Sequence, residues 1–155
     1  MSITLDGTNG VTLPDANSSI SSDSGDALLL KVGGTEMARI DTSGNLLFNS
    51  GYGSVATAYG CRAWVNFDGT GTVAIRASGN VTSITDNGTG EYTVNFTTAM
   101  PDRNYAVVQG AGNTSANACY LTVWNTPAVG SVRLLCRSDA ATTIDANECN
   151  VSIFR

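Results

Sequence analysis

The pattern of apolar and polar residues changes near Cys61, and this change limits the folds that the sequence can adopt. Before Cys61, short apolar segments at 3–5, 11–13 and 28–30 are separated by Gly, Asn, Asp and Ser. After it, longer runs alternate apolar and polar residues, beginning at 63–67. Such alternation is typical of β-strands that bury one face. The sequence therefore predicts a thin β segment followed by a compact β domain.

The region after Cys61 is expected to form an antiparallel β-sandwich. Turn signals recur about every eight to twelve residues, the usual rhythm of all-β sandwiches and barrels, and no window shows a helical apolar period. The Asn87-Gly88 pair predicts a hairpin turn within 85–90. The predicted strands are 63–67, 72–78, 80–85, 91–97, 104–110, 118–124, 131–137 and 148–154.

Gly79 is predicted to bend one long strand, 72–85, so that it passes from one sheet of the sandwich to the other. Counting strand directions from that assumption assigns each loop to one of the two ends of the domain. Loops 86–90, 110–117 and 138–147 then share the end at which the chain enters the domain. The loops expected at the opposite end are 68–71, 98–103 and 125–130.

Residues 1–48 contain too few apolar side chains to form a core of their own. An isolated two-stranded hairpin is only marginally stable in water, and short segments need partners to cover their apolar surface. We therefore predict a trimeric β shaft over 1–48 and a small-residue linker over 49–60. The sandwich then forms a head domain over 61–155, and the predicted fold class is all-β.

The chain carries a net charge of −5, with dispersed Arg residues. A nucleic-acid-binding surface needs clustered Lys and Arg to neutralise phosphates, so no nucleic-acid partner is expected. No apolar run approaches the roughly 18–20 residues that span a bilayer, so no membrane insertion is expected. Polarity comes instead from Ser, Thr and Asn, as in extracellular or particle-surface β proteins.

The four cysteines share the parity of apolar neighbours in the predicted strands. Because side chains alternate between faces, all four are expected to be buried free thiols: Cys61, Cys119, Cys136 and Cys149. A core disulfide of Cys119 with Cys136 or Cys149 is the open alternative. The chain has no His and no Cys-x-x-Cys pair, so neither a metal site nor a cofactor is predicted.

Catalysis has little support in the sequence. Without His, neither a Ser-His-Asp triad nor a Cys-His pair can form. Asp41, Asp68 and Asp86 stand near Gly, Ser or Asn, where turns that hydrogen-bond the carboxylate explain them. Asp139 and Asp145 share a loop, which leaves a glycoside hydrolase as an alternative. The chain is therefore predicted not to be an enzyme.

Two parts of the sequence resemble segments of bacteriophage fibres. Residues 33–46 are similar to a recurring segment of phage tail-fibre and tail-spike proteins, which there forms part of a trimeric β shaft. Residues 63–76 and 92–96 are similar to a small head domain at the ends of phage fibres. The resemblance implies a homotrimer on the virion that touches the host surface.

A looser resemblance, over 92–155, is to the H-type lectins. These are six-stranded sandwiches that trimerise and bind sugars between protomers. The resemblance implies that loops 110–117 and 138–147 would hold a sugar, although this chain lacks any His. The matching segments are 94–96, 100–101, 105–108 and 150–153.

These two loops supply a candidate glycan site. Sugars are held by planar hydrogen-bonding groups around a ring that stacks on an aromatic side chain. Each candidate taken alone is explained as a solvated loop residue, whereas the cluster is a site hypothesis. Trp124 and Trp64 are instead expected to pack against a neighbouring protomer. The candidates are Asn113, Ser115, Asn117, Tyr120, Arg137, Asp139, Asp145 and Asn147.

The sequence therefore predicts a structural virion protein, part of a tail fibre or another surface appendage. Its trimeric head would adhere to host surface polysaccharide. Residues 1–48 would contact other copies of the chain and other tail or capsid proteins. The alternative is a purely structural capsid or tail decoration protein that binds no ligand.

Overall fold

The computed structural model describes residues 4–6, 10–12, 19–22, 27–51, 53–112 and 118–155. Within these ranges the regular structure is entirely β-strand, arranged in three antiparallel sheets. The predicted all-β class is confirmed. No helix in the described ranges has the length and apolar character needed to cross a bilayer. The chain divides into two units, Met1–Ala58 and Tyr59–Arg155, which are described separately.

Unit 1 (Met1–Ala58) is a seven-stranded antiparallel sheet in which each strand pairs with the next along the chain. Short turns such as Gly33-Gly34 allow this meander, because glycine readily adopts positive φ. The strands are β1 Thr4–Asp6, β2 Gly10–Thr12, β3 Ser19–Ser22, β4 Leu28–Val32, β5 Thr35–Ile40, β6 Leu46–Phe48 and β7 Ala56–Thr57.

One face of this sheet is apolar and uncovered. Register places Leu28 beside Ile40, and Ile40 beside Leu46. Because alternate residues share a face, Leu29 and Leu47 lie on the other side, where they are buried. The side chains of the exposed face are each 39–53% exposed, and we call them the apolar face of unit 1: Ile20, Leu28, Leu30, Ile40, Leu46 and Phe48.

Unit 2 (Tyr59–Arg155) is a sandwich of two four-stranded antiparallel sheets, as predicted. One sheet has the order β10-β11-β14-β13 and the other has the order β12-β15-β8-β9. The strands are β8 Cys61–Asp68, β9 Ala74–Gly79, β10 Val81–Gly88, β11 Glu91–Phe96, β12 Ala106–Gly112, β13 Cys119–Val123, β14 Ser131–Ser138 and β15 Glu148–Phe154.

The core of unit 2 lies between these sheets. Every second residue of the central strands points inward, so the alternation seen in the sequence becomes one contiguous apolar cluster. The Phe67 and Tyr92 rings meet edge to face across the core, with centroids 5.2 Å apart. The four central strands contribute these residues to the core cluster: Ala63, Val65, Phe67, Tyr92, Val94, Phe96, Val132, Leu134, Cys136, Cys149, Val151 and Ile153.

The chain crosses between the two sheets at Gly79, as predicted, but it also reverses direction there. Asn80 has a φ of 56°. Its carboxamide nitrogen donates to the carbonyl oxygens of Arg62 and Thr98 at 3.0 and 3.1 Å. Its Oδ1 accepts from the Thr98 N–H at 2.7 Å. These bonds hold a sharp corner, so β9 and β10 run in opposite directions.

The predicted placement of loop 68–71 is therefore wrong, since it assumed that 72–85 was one bent strand. The Gly69 N–H donates to the Ala146 carbonyl at 2.9 Å, which brings this loop to the same end as loop 138–147. The predicted point of chain entrance is also wrong. Cys61 pairs with Phe154, so β8 begins where β15 ends, at the opposite end of the sandwich from loop 138–147.

The predicted β10–β11 hairpin is present, but its turn is displaced by two residues. Gly88 pairs with Glu91, which leaves Thr89 and Gly90 as the two-residue connection. Asn87 is the extra residue of a bulge between Asp86 and Gly88. The positive φ that such a turn requires is supplied by Gly90, at 72°.

All four cysteines are free thiols, so the alternative core disulfide is not formed. Cys136 and Cys149 are buried, as predicted, and Cys119 is half-buried. Cys61 is exposed, which contradicts its predicted burial. The register shifts between Ile153 and Phe154, so one extra residue of β8 breaks the alternation just after Cys61.

The two buried thiols give a labelling prediction. Burial raises the pKa of Cys136 and of Cys149 to about 12, and the thiolate is the reactive form. We expect maleimide to modify Cys61 rapidly in the native protein while these two react only after denaturation. Peptide mass mapping would measure the rates, and Cys61→Ser should remove the fast reaction. Native labelling of Cys136 as fast as that of Cys61 would contradict the structure.

Candidate functional site

The outer surface of strands β13 and β14 brings two predicted site residues together. Tyr120 pairs directly with Arg137 across the two strands, and its side chain is 42% exposed. The Arg137 guanidinium carbon lies 5.9 Å from the centroid of the Trp124 ring, a cation–π arrangement. We call Tyr120, Trp124 and Arg137 the aromatic–arginine surface.

Leu135 is a buried apolar side chain beneath this surface. It lies between the inward-facing Leu134 and Cys136, so its side chain points to the outer face, yet it is only 2% exposed. Arg137, two residues along the same strand, extends to Trp124, which directly follows the neighbouring strand β13. Long charged side chains often cover apolar surface in this way. The Nε of Arg137 is buried and has no partner among the described residues.

A neighbouring ion pair completes the charge pattern of this face. The Arg133 Nη2 lies 2.5 Å from the Glu91 Oε2, so the charge of Arg133 is balanced. Within the described residues, Arg137 forms no ion pair. It is therefore the positive group on this face whose charge is left for another partner, and it can offer several N–H donors in one plane.

Loop 138–147 carries three further predicted site residues, and their positions differ. Asp139 is exposed, and its backbone N–H donates to the Ala118 carbonyl at 3.1 Å, which ties this loop to the start of β13. Asp145 is half-buried and faces the core: its Oδ1 accepts from the Gly90 N–H at 2.7 Å and from the Tyr92 hydroxyl at 2.9 Å. Asp145 thus fastens the loop to the β10–β11 turn.

Asn147 belongs to a second fastening point of the same loop. Its carbonyl oxygen accepts a 2.5 Å hydrogen bond from Arg76, and Arg76 also pairs with Asp68 at 3.0 Å. Hydrogen bonds from the Thr70 hydroxyl and N–H, together with Arg76, keep the pKa of Asp68 below its usual value. Asp145 and the Asn147 carbonyl therefore hold loop 138–147 against the rest of unit 2.

The turn roles predicted for three aspartates are confirmed. Asp41, Asp68 and Asp86 each accept a hydrogen bond from the backbone N–H two residues later, at 2.9 Å. This geometry is that of an Asx turn. In the described ranges, no group of three or more His, Cys, Asp or Glu side chains is placed to hold a metal ion.

The other predicted loop residues, Asn113, Ser115 and Asn117, lie outside the described residues. The strands that flank them end beside loop 138–147: Gly112 pairs with Glu148, and Cys119 pairs with Ser138. The expectation that loops 110–117 and 138–147 are neighbours is consistent with these flanks. The role of the three side chains stays a prediction.

Comparison with known proteins adds information on the fold. The fold resembles that of a phage tailspike. The similar structure is the phiAB6 tailspike in complex with three-repeated oligosaccharides of Acinetobacter baumannii surface polysaccharide, with a TM-score of 0.50 and 17% identity. The match covers 99% of this chain but 30% of the tailspike chain. No protein-family model matches the chain, and no curated protein matches it significantly.

At this identity the likeness concerns the fold alone. It supports the tail-spike part of the resemblance seen in the sequence, while the lectin-like character of the head stays a prediction. Trp124 is the residue whose place in the site was missed. Its outward parity, shared with Tyr120, was the available signal, but only the strand register shows that Arg137 reaches it.

Proposed function

We propose that this chain is a structural protein of a phage tail appendage whose head, unit 2, adheres to polysaccharide on the host surface. The observation that carries the proposal is the aromatic–arginine surface, where two exposed rings flank a cation without an acidic partner among the described residues. Adhesion rather than cleavage is proposed, because Asp145 is engaged by Gly90 and Tyr92.

The chemistry of this surface suits sugars. Tyr and Trp offer a flat apolar body with a polar edge, on which the apolar face of a pyranose ring can stack. Arg137 contributes N–H donors in a fixed plane, which match hydroxyl or carboxylate oxygens. Asp139, at the edge of the same strands, supplies an exposed acceptor. Asn113, Ser115, Asn117 and Asn147 remain candidates for the remaining contacts.

The fold likeness supports this proposal without extending it. The phiAB6 tailspike, part of which has a similar fold, was crystallised with oligosaccharides of a bacterial surface polysaccharide. Because this chain spans less than a third of that tailspike, activities of the whole tailspike are not carried over.

The same proposal includes a homotrimer joined through residues 1–48, followed by a linker over 49–60 and the head over 61–155. The apolar face of unit 1 supports it, since a soluble protein rarely leaves so continuous an apolar surface uncovered. Identical neighbours can cover it by symmetry. Three heads on one particle appendage would turn weak single-site binding into firm attachment. Contacts of this segment with other virion proteins are part of the proposal.

A glycan array of bacterial capsular and O-polysaccharides tests the head. We expect selective binding by the native protein, and a loss of about tenfold or more in affinity for Tyr120→Ala and for Arg137→Ala. Val108→Ala, at a 60% exposed position on the other sheet, is the matched control and should bind normally.

Three outcomes would contradict this proposal. Selective binding that survives both substitutions would place the site elsewhere on the head. An absence of selective binding by the folded native protein would favour the alternative role, a decoration protein without a ligand. Polysaccharide shortened during incubation would show cleavage rather than adhesion.

A further inference from the structure

A second surface with sugar-binding chemistry lies at the end of unit 2 where β8 begins and β15 ends. A groove of about 330 Å³ opens there, at the lower end of the roughly 300–1,000 Å³ typical of ligand sites. Its position follows from the topology, because β12 begins and β15 ends at this end of the sandwich. The groove is lined by Tyr59, Asn104, Ala106, Phe154 and Arg155.

The polar wall of the groove is held in place by Asp102. The Arg155 Nη2 lies 2.5 Å from the Asp102 Oδ2, and the Asn104 N–H donates to the Asp102 Oδ1 at 2.8 Å. The hydrogen bond from Arg155 keeps the pKa of Asp102 below its usual value. One carboxylate thus positions both polar residues that line the groove.

These two residues retain donors for a ligand. A guanidinium carries five N–H donors, and the pairing with Asp102 uses the Nη2 group of Arg155. The Asn104 carboxamide forms no hydrogen bond with any described residue. Together they offer several donors and one amide acceptor, side by side, at the rim of the groove.

The apolar part of the groove is formed by Tyr59, Phe154 and Ala106. Tyr59 is 72% exposed, more than any other large apolar side chain in the described residues. Ala106 pairs with Phe154 across β12 and β15, and its small side chain leaves room beside the Phe154 ring. An exposed aromatic ring facing a shallow apolar floor is suited to stacking a flat ligand.

We infer that this groove binds a neutral hexopyranose unit of a glycan, an inference that rests on the proposed glycan adhesion. The Tyr59 ring would stack on the apolar face of the sugar. The Asn104 carboxamide and the free N–H groups of Arg155 would hydrogen-bond neighbouring hydroxyl groups. A head with this groove and the aromatic–arginine surface has two separate glycan contacts, one at this end of the sandwich and one on the outer face of β13 and β14.

Charge selects a neutral sugar over an acidic one at this groove. The positive charge of Arg155 is already balanced by Asp102 at 2.5 Å, so a sugar carboxylate would meet a second carboxylate nearby. The chain as a whole carries a net charge of −5, which further repels anions. This differs from the aromatic–arginine surface, where Arg137 has no ion-pair partner among the described residues.

The full chain, labelled with ¹⁵N, can be titrated with methyl galactoside, methyl glucoside and methyl glucuronide while amide and guanidinium NMR signals are followed. We expect a neutral glycoside to shift the Asn104 carboxamide and Arg155 Nε signals, and glucuronide to shift them at least about tenfold more weakly. Tyr59→Ala should abolish both shifts, and Asn104→Ala should abolish the shift of the Arg155 Nε signal. Arg103→Ala, exposed and outside the groove lining, is the matched control.

The outcomes separate this inference from the proposed function. Shifts confined to Tyr120 and Arg137, or an absence of shifts with every probe at its highest soluble concentration, would overturn the groove. Stronger binding of the glucuronide at the groove would overturn its neutral specificity. Tyr120→Ala can be tested in both experiments. If it loses binding on the glycan array but keeps the NMR shifts of the groove residues, the two sites act independently.

Discussion

Replacing Leu30 with Asp is expected to convert the proposed trimer into single chains. Leu30 lies within the apolar face of unit 1, where it pairs with Ile20 on one side and Ala38 on the other. In the proposed trimer this side chain is covered by neighbouring copies. A carboxylate buried there without a partner costs several kcal/mol. Static light scattering should show the mass fall from three times 16.0 kDa to 16.0 kDa.

A matched variant distinguishes the loss of the apolar contact at Leu30 from the effect of the added negative charge. Thr42→Asp introduces the same carboxylate at an exposed turn residue of the same unit, away from the apolar face, and should keep the trimeric mass. Circular dichroism would verify that the strands of the Leu30→Asp protein persist. If the native protein has the mass of one chain at low concentration while unit 1 stays folded, the shared apolar face is disproved.

Gly90→Ala is expected to lower the stability of unit 2 by about 2–5 kcal/mol in total. Its φ of 72° is the left-handed region, which costs a residue with Cβ about 1–2 kcal/mol. A Cβ would also lie 2.6 Å from the Cys136 carbonyl oxygen and 2.8 Å from that of Ile144. Both are backbone atoms, so relieving the overlap adds about 1–3 kcal/mol. Thermal denaturation should show the melting temperature fall by roughly 10–30 °C.

Gly71→Ala is the control for this substitution. Gly71 has a similar φ of 62°, but a Cβ there would meet no atom within 4 Å. Gly71→Ala should therefore lower the free energy of unfolding only by the cost of the left-handed backbone conformation, about 1–2 kcal/mol. Equal losses for the two variants would show that the packing of the β10–β11 turn against Cys136 and Ile144 is looser than described.

The features that sequence predicted correctly depend on contacts close along the chain. Strand β11 could be recognised because Tyr92, Val94 and Phe96 alternate with polar residues, and alternation alone fixes which side is buried. The Asx turns of Asp41 and Asp68 link residues only two positions apart. Such local rules operate before any tertiary contact forms.

The features that sequence missed depend on contacts between distant segments. The reversal at Asn80 is held by Arg62 and Thr98, each 18 residues away, and no local pattern indicates those bonds. The exposure of Cys61 follows from a register shift opposite Phe154. A strand's own sequence cannot show where its partner inserts an extra residue.

In the candidate site, too, the features set by local sequence were predicted and those set by distant contacts were not. The outward position of Tyr120 follows from parity, whereas the approach of Arg137 to Trp124 needs the register of β13 against β14. The inward attachment of Asp145 needs the β10–β11 turn beside it. Tyr59 and Arg155 are separated by most of the head sequence, so the groove that they line could not be foreseen from either segment.

The pairing of Cys61 with Phe154 places the first and last strands of the sandwich side by side. The two points at which unit 2 could be joined to other polypeptide are therefore neighbours. A unit with its ends together can be inserted or exchanged as a cassette without straining either junction. The outer surfaces of such a unit can thus be exchanged as one piece, because both of its junctions lie side by side.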